Sequence, residues 1–283
     1  WEMHRCYGSK EWEVLFNDAI EFSREGFQLT RFGGEMIQNS APRLSNFPSK
    51  DILLDCLGVP PSQGETLRLP LLADSLQKIA EKGVDTFYTG ELADSIVSGL
   101  SELGGILTKD DLANYSPSWK QPISIEYRGD TICAPPPNST AFQILQTLKF
   151  LEQFELSELD FTGSDFLHIF IEAVKLAVSD RIQYAGDPET SPVPLNILLS
   201  EEYAQSQKPR IDFGKVNNSP GYRFLQHRPA KSLLPGEFDG GMTTHFAVAD
   251  RHGNVVNVTQ TLGGAFGSSL APKDTGIFMN NMC

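Results

Sequence analysis

A pair of β-strands near its end constrains this chain most. Thr244, Phe246 and Val248 alternate with His245, Ala247 and Ala249; residues 250–254 then turn, and Val255 to Thr261 reads as a second strand. Alternation of period two marks a β-strand, because successive side chains leave opposite faces. A three-residue loop with glycine in its third place fits a type I turn followed by a G1 bulge. With Arg251-His252-Gly253 as that loop, Asp250 faces Asn254, Val248 faces Val256, and Thr243 faces Thr261. The register rests on pattern alone, and a slip of one residue would reverse every side chain.

Upstream, helical spacing dominates. Trp12, Leu15, Phe16, Ala19 and Ile20 predict a helix ending at Gly26. Leu71 to Lys82 and Thr89 to Leu103 predict two more, stopped by Gly83 and Gly104-Gly105. Thr108 to Asp111 has the S/T-x-x-D/E form that opens a short helix. Residues 27–70 carry Gly33-Gly34, Pro42, Pro48, Pro60-Pro61 and Gly64, and read as loops interrupted by short helices. Ile123, Ile125 and Tyr127, a turn at Arg128-Gly129-Asp130, and Thr131-Ile132-Cys133 predict a hairpin. Pro135-Pro136-Pro137 closes it, since proline cannot donate to a ladder. Ser139 or Thr140 is expected to cap a helix reaching Phe154, and Ser164 one whose apolar stripe reaches Arg181. Residues 188–238 are expected to be irregular.

Composition narrows the function classes. The chain is 40% hydrophobic and 21% charged, ordinary for a globular protein. No apolar run approaches the ~20 residues needed to span a bilayer. Lys plus Arg number 23 against 36 Asp plus Glu, a net charge of −13. Such a surface repels phosphate backbones, so no nucleic-acid partner is expected. Cys6, Cys56, Cys133 and Cys283 lie far apart and the five histidines are scattered, so no metal site is expected. G-x-S-x-G, a Walker loop and H-E-x-x-H are absent. Gly263-Gly264-Ala265-Phe266-Gly267 follows a strand, but Pro272 and Gly276 rule out a helix after it. It reads as backbone passing close to a ligand or another strand. The chain opens on Trp1 and stops soon after the apolar residues 276–279, so it is expected to be the middle of a longer protein.

Gly240-Gly241-Met242-Thr243-Thr244-His245 leads a glycine-containing linker into a strand that begins with threonine. Phe246 to Asp250, Gly253 to Val256, Thr259 to Leu262, Phe266-Gly267, Gly276-Ile277 and Asn280-Asn281 follow in order. Together these resemble the gamma-glutamyltranspeptidase family of self-processing N-terminal-nucleophile hydrolases. Gly83 to Tyr88 followed by Gly90 is similar to the family's G-x-D-x-F-Y-x-G, and Gly104 to Leu112 to its G-G-x-x-T-x-x-D-L. Tyr127-Arg128-Gly129, Ala177 to Arg181, Gly186-Asp187-Pro188 and the opening Tyr7-Gly8, Trp12 and Leu15 match as well. The matches are collinear from near residue 1 to residue 281.

The resemblance implies an α+β fold, the four-layer αββα sandwich of these hydrolases, incomplete in this stretch. Residues 1–242 would be the large-subunit part of a proenzyme and residues 243–283 the start of the small, catalytic subunit, together one domain. Because the small-subunit sheet would continue beyond residue 283, the stretch alone is expected to expose apolar surface. The Met242–Thr243 bond would be cut by the Thr243 hydroxyl. Thr243 would then carry its nucleophile beside its own α-amino group, whose reference pKa of ~8 suits a general base. Thr261 matches the family's second threonine, which hydrogen-bonds the nucleophile.

Gly263, Asn281 and Met282 fall in the stretch that implies substrate binding, and there the sequence departs from the family. An Asn stands in the family where this chain has Gly263, and N-N-Q/E-M-D-D stands where it has Asn280-Asn281-Met282-Cys283. Glycine offers no side chain and Met282 is a weak acceptor. Two lost contacts to an ammonium, at about 1.5–3 kcal/mol each, would weaken γ-glutamyl selection. The implied reaction is cleavage of γ-glutamyl amides such as glutathione, with transfer to water or an amino acid or peptide. A different small acyl amide, or a processing-dead structural homologue, is the alternative. The implied partners are that small amide and the remainder of the small subunit, with no cofactor. The family's carboxylate-gripping arginine and Gly-Gly oxyanion donors would lie outside residues 1–283.

Overall fold

Glycine stops and hydroxyl caps set many helices where the spacing predicts them. A 3₁₀ turn, Glu13–Phe16, runs into the helix Asn17–Glu25, which stops at Gly26. The helix Pro70–Lys82 opens on a proline, whose missing N–H is one the first turn leaves unpaired anyway, and stops at Gly83. At Lys109–Ala113 the Thr108 hydroxyl accepts from the Asp111 N–H and the Asp111 carboxylate accepts from the Thr108 N–H, a complete capping box. The segment from Thr89 to Leu103 starts later than predicted: Asp85–Tyr88 forms its own turn, and the helix proper is Glu91–Ser101.

The computed structural model describes residues 1–217 and 242–282. Gly240-Gly241, Cys283 and the irregular segment expected over residues 218–238 lie outside the described residues. Within them, several expectations are corrected. Residues 27–70 contain a fourteen-residue helix, Arg31–Leu44, rather than short pieces alone. Thr30 Oγ1 caps it by accepting from the Gly33 N–H at 3.1 Å. Pro42 sits in its last turn, where the lost i−4 bond ends the helix without splitting it. Gly34 leaves room for a neighbouring loop, since a Cβ there would stand 3.3 Å from Gln63 N. Neither Ser139 nor Thr140 is the cap of Phe142–Leu151, which follows Ala141; Ser139 Oγ accepts from the Ala141 N–H instead. Ser164 is the first residue of Ser164–Tyr184, with Gly163 at the cap position. Ser200 caps a further helix, Glu201–Gln207, inside the segment expected to be irregular.

Contacts divide the chain into two compact units, Trp1–Pro117 with Ser232–Cys283, and Ser118–Lys231. In the second unit, Phe150, Ile169, Ala173, Leu176, Ala177 and Ala204 bury the facing sides of its three main helices. Its hairpin pairs Ile123–Tyr127 with Asp130–Ala134, and Arg128 and Gly129 both take positive φ, 51° and 93°. That is the two-residue turn whose twist suits paired strands. In the first unit, Leu29, Ile37, Leu44, Leu53 and Leu54 form a core onto which Phe266 and Phe278 pack. Burying each such side chain is worth about 1.5–3 kcal/mol, so residues 266–278 are anchored to the Arg31–Leu44 helix.

The second hairpin belongs to this first unit. Met242–Ala249 pairs antiparallel with Val255–Gly263 in the predicted register, Thr243 opposite Thr261 and Val248 opposite Val256. Asp250 N–H donates to the Asn254 carbonyl at 3.0 Å, and Gly253 has φ 84°, as the G1-bulge turn requires. The strands are exposed on both faces, with Phe246, Val248 and Val255 uncovered. The described sheets are three two-stranded antiparallel pairs within a mixed helix-and-strand fold.

Candidate functional site

The hairpin register shifts by one residue between Met242 and Thr243, so that Met242 opposes Gly263 while Thr243 opposes Thr261. This bulge turns the Met242 carbonyl toward the Thr261 side chain. Thr261 Oγ1 donates to the Met242 carbonyl oxygen at 2.8 Å and accepts from the Gly263 N–H at 2.9 Å. The result is a chain of donors, N–H to O–H to O=C, in which each bond polarises the next. It ends on the carbonyl of the Met242–Thr243 peptide bond. A donor fixed there stands where negative charge would develop if that carbon were attacked. The single Thr261 O–H is committed to Met242, not to the Thr243 hydroxyl. On the same strand face as Thr243, His245 Nδ1 lies 2.8 Å from Thr259 Oγ1.

Gly263 is glycine for two physical reasons. Its φ is 91°, in the left-handed region that side chains disfavour, and a Cβ there would stand 2.0 Å from Asn281 Oδ1 and 3.1 Å from Met282 Cγ. Asn281 is held against it: its Oδ1 accepts from the Gly264 N–H at 2.8 Å, and its own N–H donates to the Leu262 carbonyl at 2.9 Å. Met282 N–H in turn donates to Asn280 Oδ1 at 3.0 Å. The structure therefore brings Gly263, Asn281 and Met282 together. The Asn281 carboxamide fills the volume that a side chain at position 263 would need.

The loop that follows is strained and pinned. Phe266, Ser269 and Asp274 take φ values of 56°, 63° and 62°, each at a cost of order 1–3 kcal/mol for a residue with a side chain. The Ser49 hydroxyl donates to the Ser269 carbonyl, and Ser75 Oγ donates to the Thr275 carbonyl at 2.7 Å. Arg43 Nη2 donates to the Ala265 carbonyl at 2.5 Å. The sequence pattern gives no sign of Arg43. It lies 222 residues before Ala265, and its neighbour Pro42 reads as a breaker.

Met36, Met242, Thr244, Thr261, Gly264 and Ala265 line a cleft of about 590 Å³ at this place. Met242, whose carbonyl takes the Thr261 bond, and Ala265, whose carbonyl takes the Arg43 bond, both line it. A second cavity of about 340 Å³, between residues 48–52, 68–72 and 271–274, contains none of the sequence-predicted site residues. Burial and the neighbouring Asp180 push the Tyr203 phenol up, and burial pushes Asp180 up, but both belong to the other unit.

Comparison with known proteins assigns the family. The sequence profile described as Gamma-glutamyltranspeptidase matches residues 1–283. The chain is 34% identical to the glutathione hydrolase proenzyme of Escherichia coli (strain K12), across 97% of this chain and 46% of that protein. Among solved structures, the cephalosporin acylase from Bacillus halodurans matches at 30% identity and a TM-score of 0.79, covering 99% of this chain and 49% of that one. The Helicobacter pylori gamma-glutamyltranspeptidase matches at 30% identity and a TM-score of 0.74, covering 77% and 63%. The chain spans about half the length of the curated relatives it matches, and it shares the fold of both the transpeptidase and the acylase. A profile that matches from the first residue to the last, on top of motifs that run collinearly between them, leaves one assignment: this chain belongs to the gamma-glutamyltranspeptidase family.

Proposed function

We propose that the protein cuts itself before Thr243 and then cleaves small amides, γ-glutamyl amides such as glutathione foremost, through an ester on the Thr243 hydroxyl. The observation that carries this reading is the 2.8 Å bond from Thr261 Oγ1 to the Met242 carbonyl. In the first step Thr243 Oγ1 attacks the Met242 carbonyl carbon. The oxyanion is met by the Thr261 hydroxyl, itself supported by the Gly263 N–H. The C–N bond breaks, the hydroxyl proton passes to the departing nitrogen, and Met242 is left as an ester on Thr243. Water hydrolyses that ester to a Met242 carboxylate and a free Thr243.

The new α-amine then accepts the proton of the Thr243 hydroxyl as that oxygen attacks a substrate amide. The substrate amine leaves with the proton, and water or an acceptor amine takes the acyl group. With Met242 gone, the Thr261 hydroxyl is free to bond the Thr243 oxygen and orient it. On this reading residues 1–242 and 243–283 belong to two subunits of one four-layer αββα sandwich. The uncovered faces of the Met242–Gly263 hairpin support that arrangement. The chemistry draws on the chain's own hydroxyls and amine.

A second reading, an acylase for a different small acyl group, is favoured by Gly263 and Met282 where the transpeptidase pattern has polar side chains. Both readings share the nucleophile, and one experiment tests it. Full-length protein carrying Thr243→Ala should run as a single uncut band without amidase activity, while wild type yields a chain whose first residue is Thr243. A mature chain that begins elsewhere, or normal cutting of the variant, overturns the assignment.

A further inference from the structure

The strand that carries Thr243 is exposed along its length except at the residue next to the scissile bond. From Thr243 to Ala249 every residue is exposed, whereas Met242 is partly buried. The register explains where its side chain goes. Met242 opposes Gly263 while Thr243 opposes Thr261, so Leu262 is the extra residue of the bulge and alternation along the Met242 strand is unbroken. Met242 and Thr244 therefore leave one face of the hairpin, and Thr243 leaves the other, which it shares with Thr261. On the Met242 face lies the cleft of about 590 Å³, walled by Met36, Leu262, Ala265 and Phe266. Met36 is only 7% exposed on the Arg31–Leu44 helix, and Phe266 packs on the core beneath. Among the described residues that line the cleft, none carries a charge.

We propose that the Met242 side chain sets the specificity of self-cleavage: lodged in the cleft walled by Met36 and Phe266, it holds the scissile carbonyl in the orientation that Thr243 attacks. The inference rests on the Thr243 reading above and adds a requirement on the residue before the cut. Attack needs the Met242 carbonyl oxygen kept on the Thr261 hydroxyl, and a small rotation of that peptide is enough to lose much of the rate. An anchored side chain on one face and the Thr261 bond on the other fix the peptide between them. Methionine suits the task, because its unbranched, flexible chain fills irregular apolar space. A short side chain leaves the peptide free to turn, and a carboxylate would have to enter uncharged walls. Met242 is thus a positioning residue, acting through its own carbonyl on a reaction that each chain performs once.

The test follows full-length precursor, made by cell-free synthesis, as it cuts itself on gels. Met242→Leu keeps an apolar chain of similar volume and should cut within about threefold of the wild-type rate. Met242→Ala should be about tenfold slower, the rate equivalent of giving up part of a methionine's buried surface. Met242→Asp should be slower still, by about a hundredfold or more. The same substitutions in the uncleavable Thr243→Ala background should keep the melting temperature within about 4 °C of the parent. Slowing with melting preserved, and recovered in the leucine variant, upholds the proposal. Equal rates in all variants, or a leucine variant as slow as the aspartate one, overturns it. Slowing that comes only with collapse of the melting transition overturns it too, since Met242 would then merely stabilise the fold. Sequencing the small chain separates this from the nucleophile. If every variant cuts at the wild-type rate and its small chain begins at Thr243, only the role of the Met242 side chain falls; if the wild-type chain begins elsewhere, the Thr243 reading falls and takes this one with it.

Discussion

Two polar networks, one in each unit, look alike on a list of distances and differ in where they end. In the helical unit, Asp180 Oδ2 accepts from Gln146 Nε2 at 2.7 Å and from the Tyr203 hydroxyl at 2.8 Å. Nearby, Lys175 pairs with Glu172 at 2.7 Å, and the second Glu172 oxygen accepts from the Asn217 N–H at 3.1 Å. Gln146, Glu172, Lys175 and Asp180 are buried and bonded mainly within this network, although Gln146 Oε1 meets no partner among the described residues. At the hairpin bulge, bonds of similar length end on a peptide carbonyl with a hydroxyl next to it in sequence. A search led by shifted acidities would choose the first network, since Asp180 and Tyr203 are both displaced. Reactivity instead follows an electrophile held beside a hydroxyl that can attack it.

The sharpest way to break that contrast is to remove the donor on the carbonyl. Thr261→Val keeps the strand and the shape but loses the hydroxyl. Self-cleavage should slow by about 10²–10³-fold, the usual effect of deleting one oxyanion donor, and a time course of the precursor band on gels measures it. Cleavage at the wild-type rate would make the Thr261–Met242 bond as structural as the Asp180 cluster. A smaller effect is expected at Gly263. Restoring the family's Asn there should destabilise the fold by about 1–3 kcal/mol, from the left-handed backbone alone, and more from the collision with Asn281. Pairing Gly263→Asn with Asn281→Gly should recover part of the loss in a denaturant titration. No recovery would mean that Asn281 is not what fills that volume.

Those residues also show what a sequence can and cannot disclose. The pairing of Thr243 with Thr261 was readable because period-two alternation and Gly253 fix a register by local rules. The Thr108 cap was readable for the same reason, since donor and acceptor lie three residues apart. The Arg31–Leu44 helix was hidden by Gly33, Gly34 and Pro42, which break helices in general but are harmless in a first and a last turn. The bulge at Met242 leaves no trace in composition. Gly263 looked like a missing ligand, yet it is a space occupied by a residue from further along the chain. Arg43 reaching Ala265 is a purely tertiary event. Local chemistry was legible; contacts that depend on how distant segments pack were not.

The smallest expected effect probes the Asp180 network. Tyr203→Phe removes one donor from Asp180 while keeping the ring against Phe150. Full-length protein should lose about 1 kcal/mol of stability, the usual worth of one hydrogen bond where the acceptor keeps its second donor, Gln146, and should cut itself at the normal rate. Its pH dependence has a definite sign. Burial raises the Asp180 pKa, against the hydrogen bonds from Tyr203 and Gln146, which lower it. The folded chain thus holds this proton more tightly than the unfolded chain does. The resulting stability is fully present below the ordinary aspartate range and is lost as pH rises through the elevated folded value. Deleting the phenol takes away a force that lowers the pKa, so the decline should extend to higher pH in Tyr203→Phe than in wild type. Melting temperatures measured from about pH 3 to pH 7 cover that window. An unchanged profile would show that the phenol does not tune Asp180, and slower self-cleavage would show that the two networks are coupled after all.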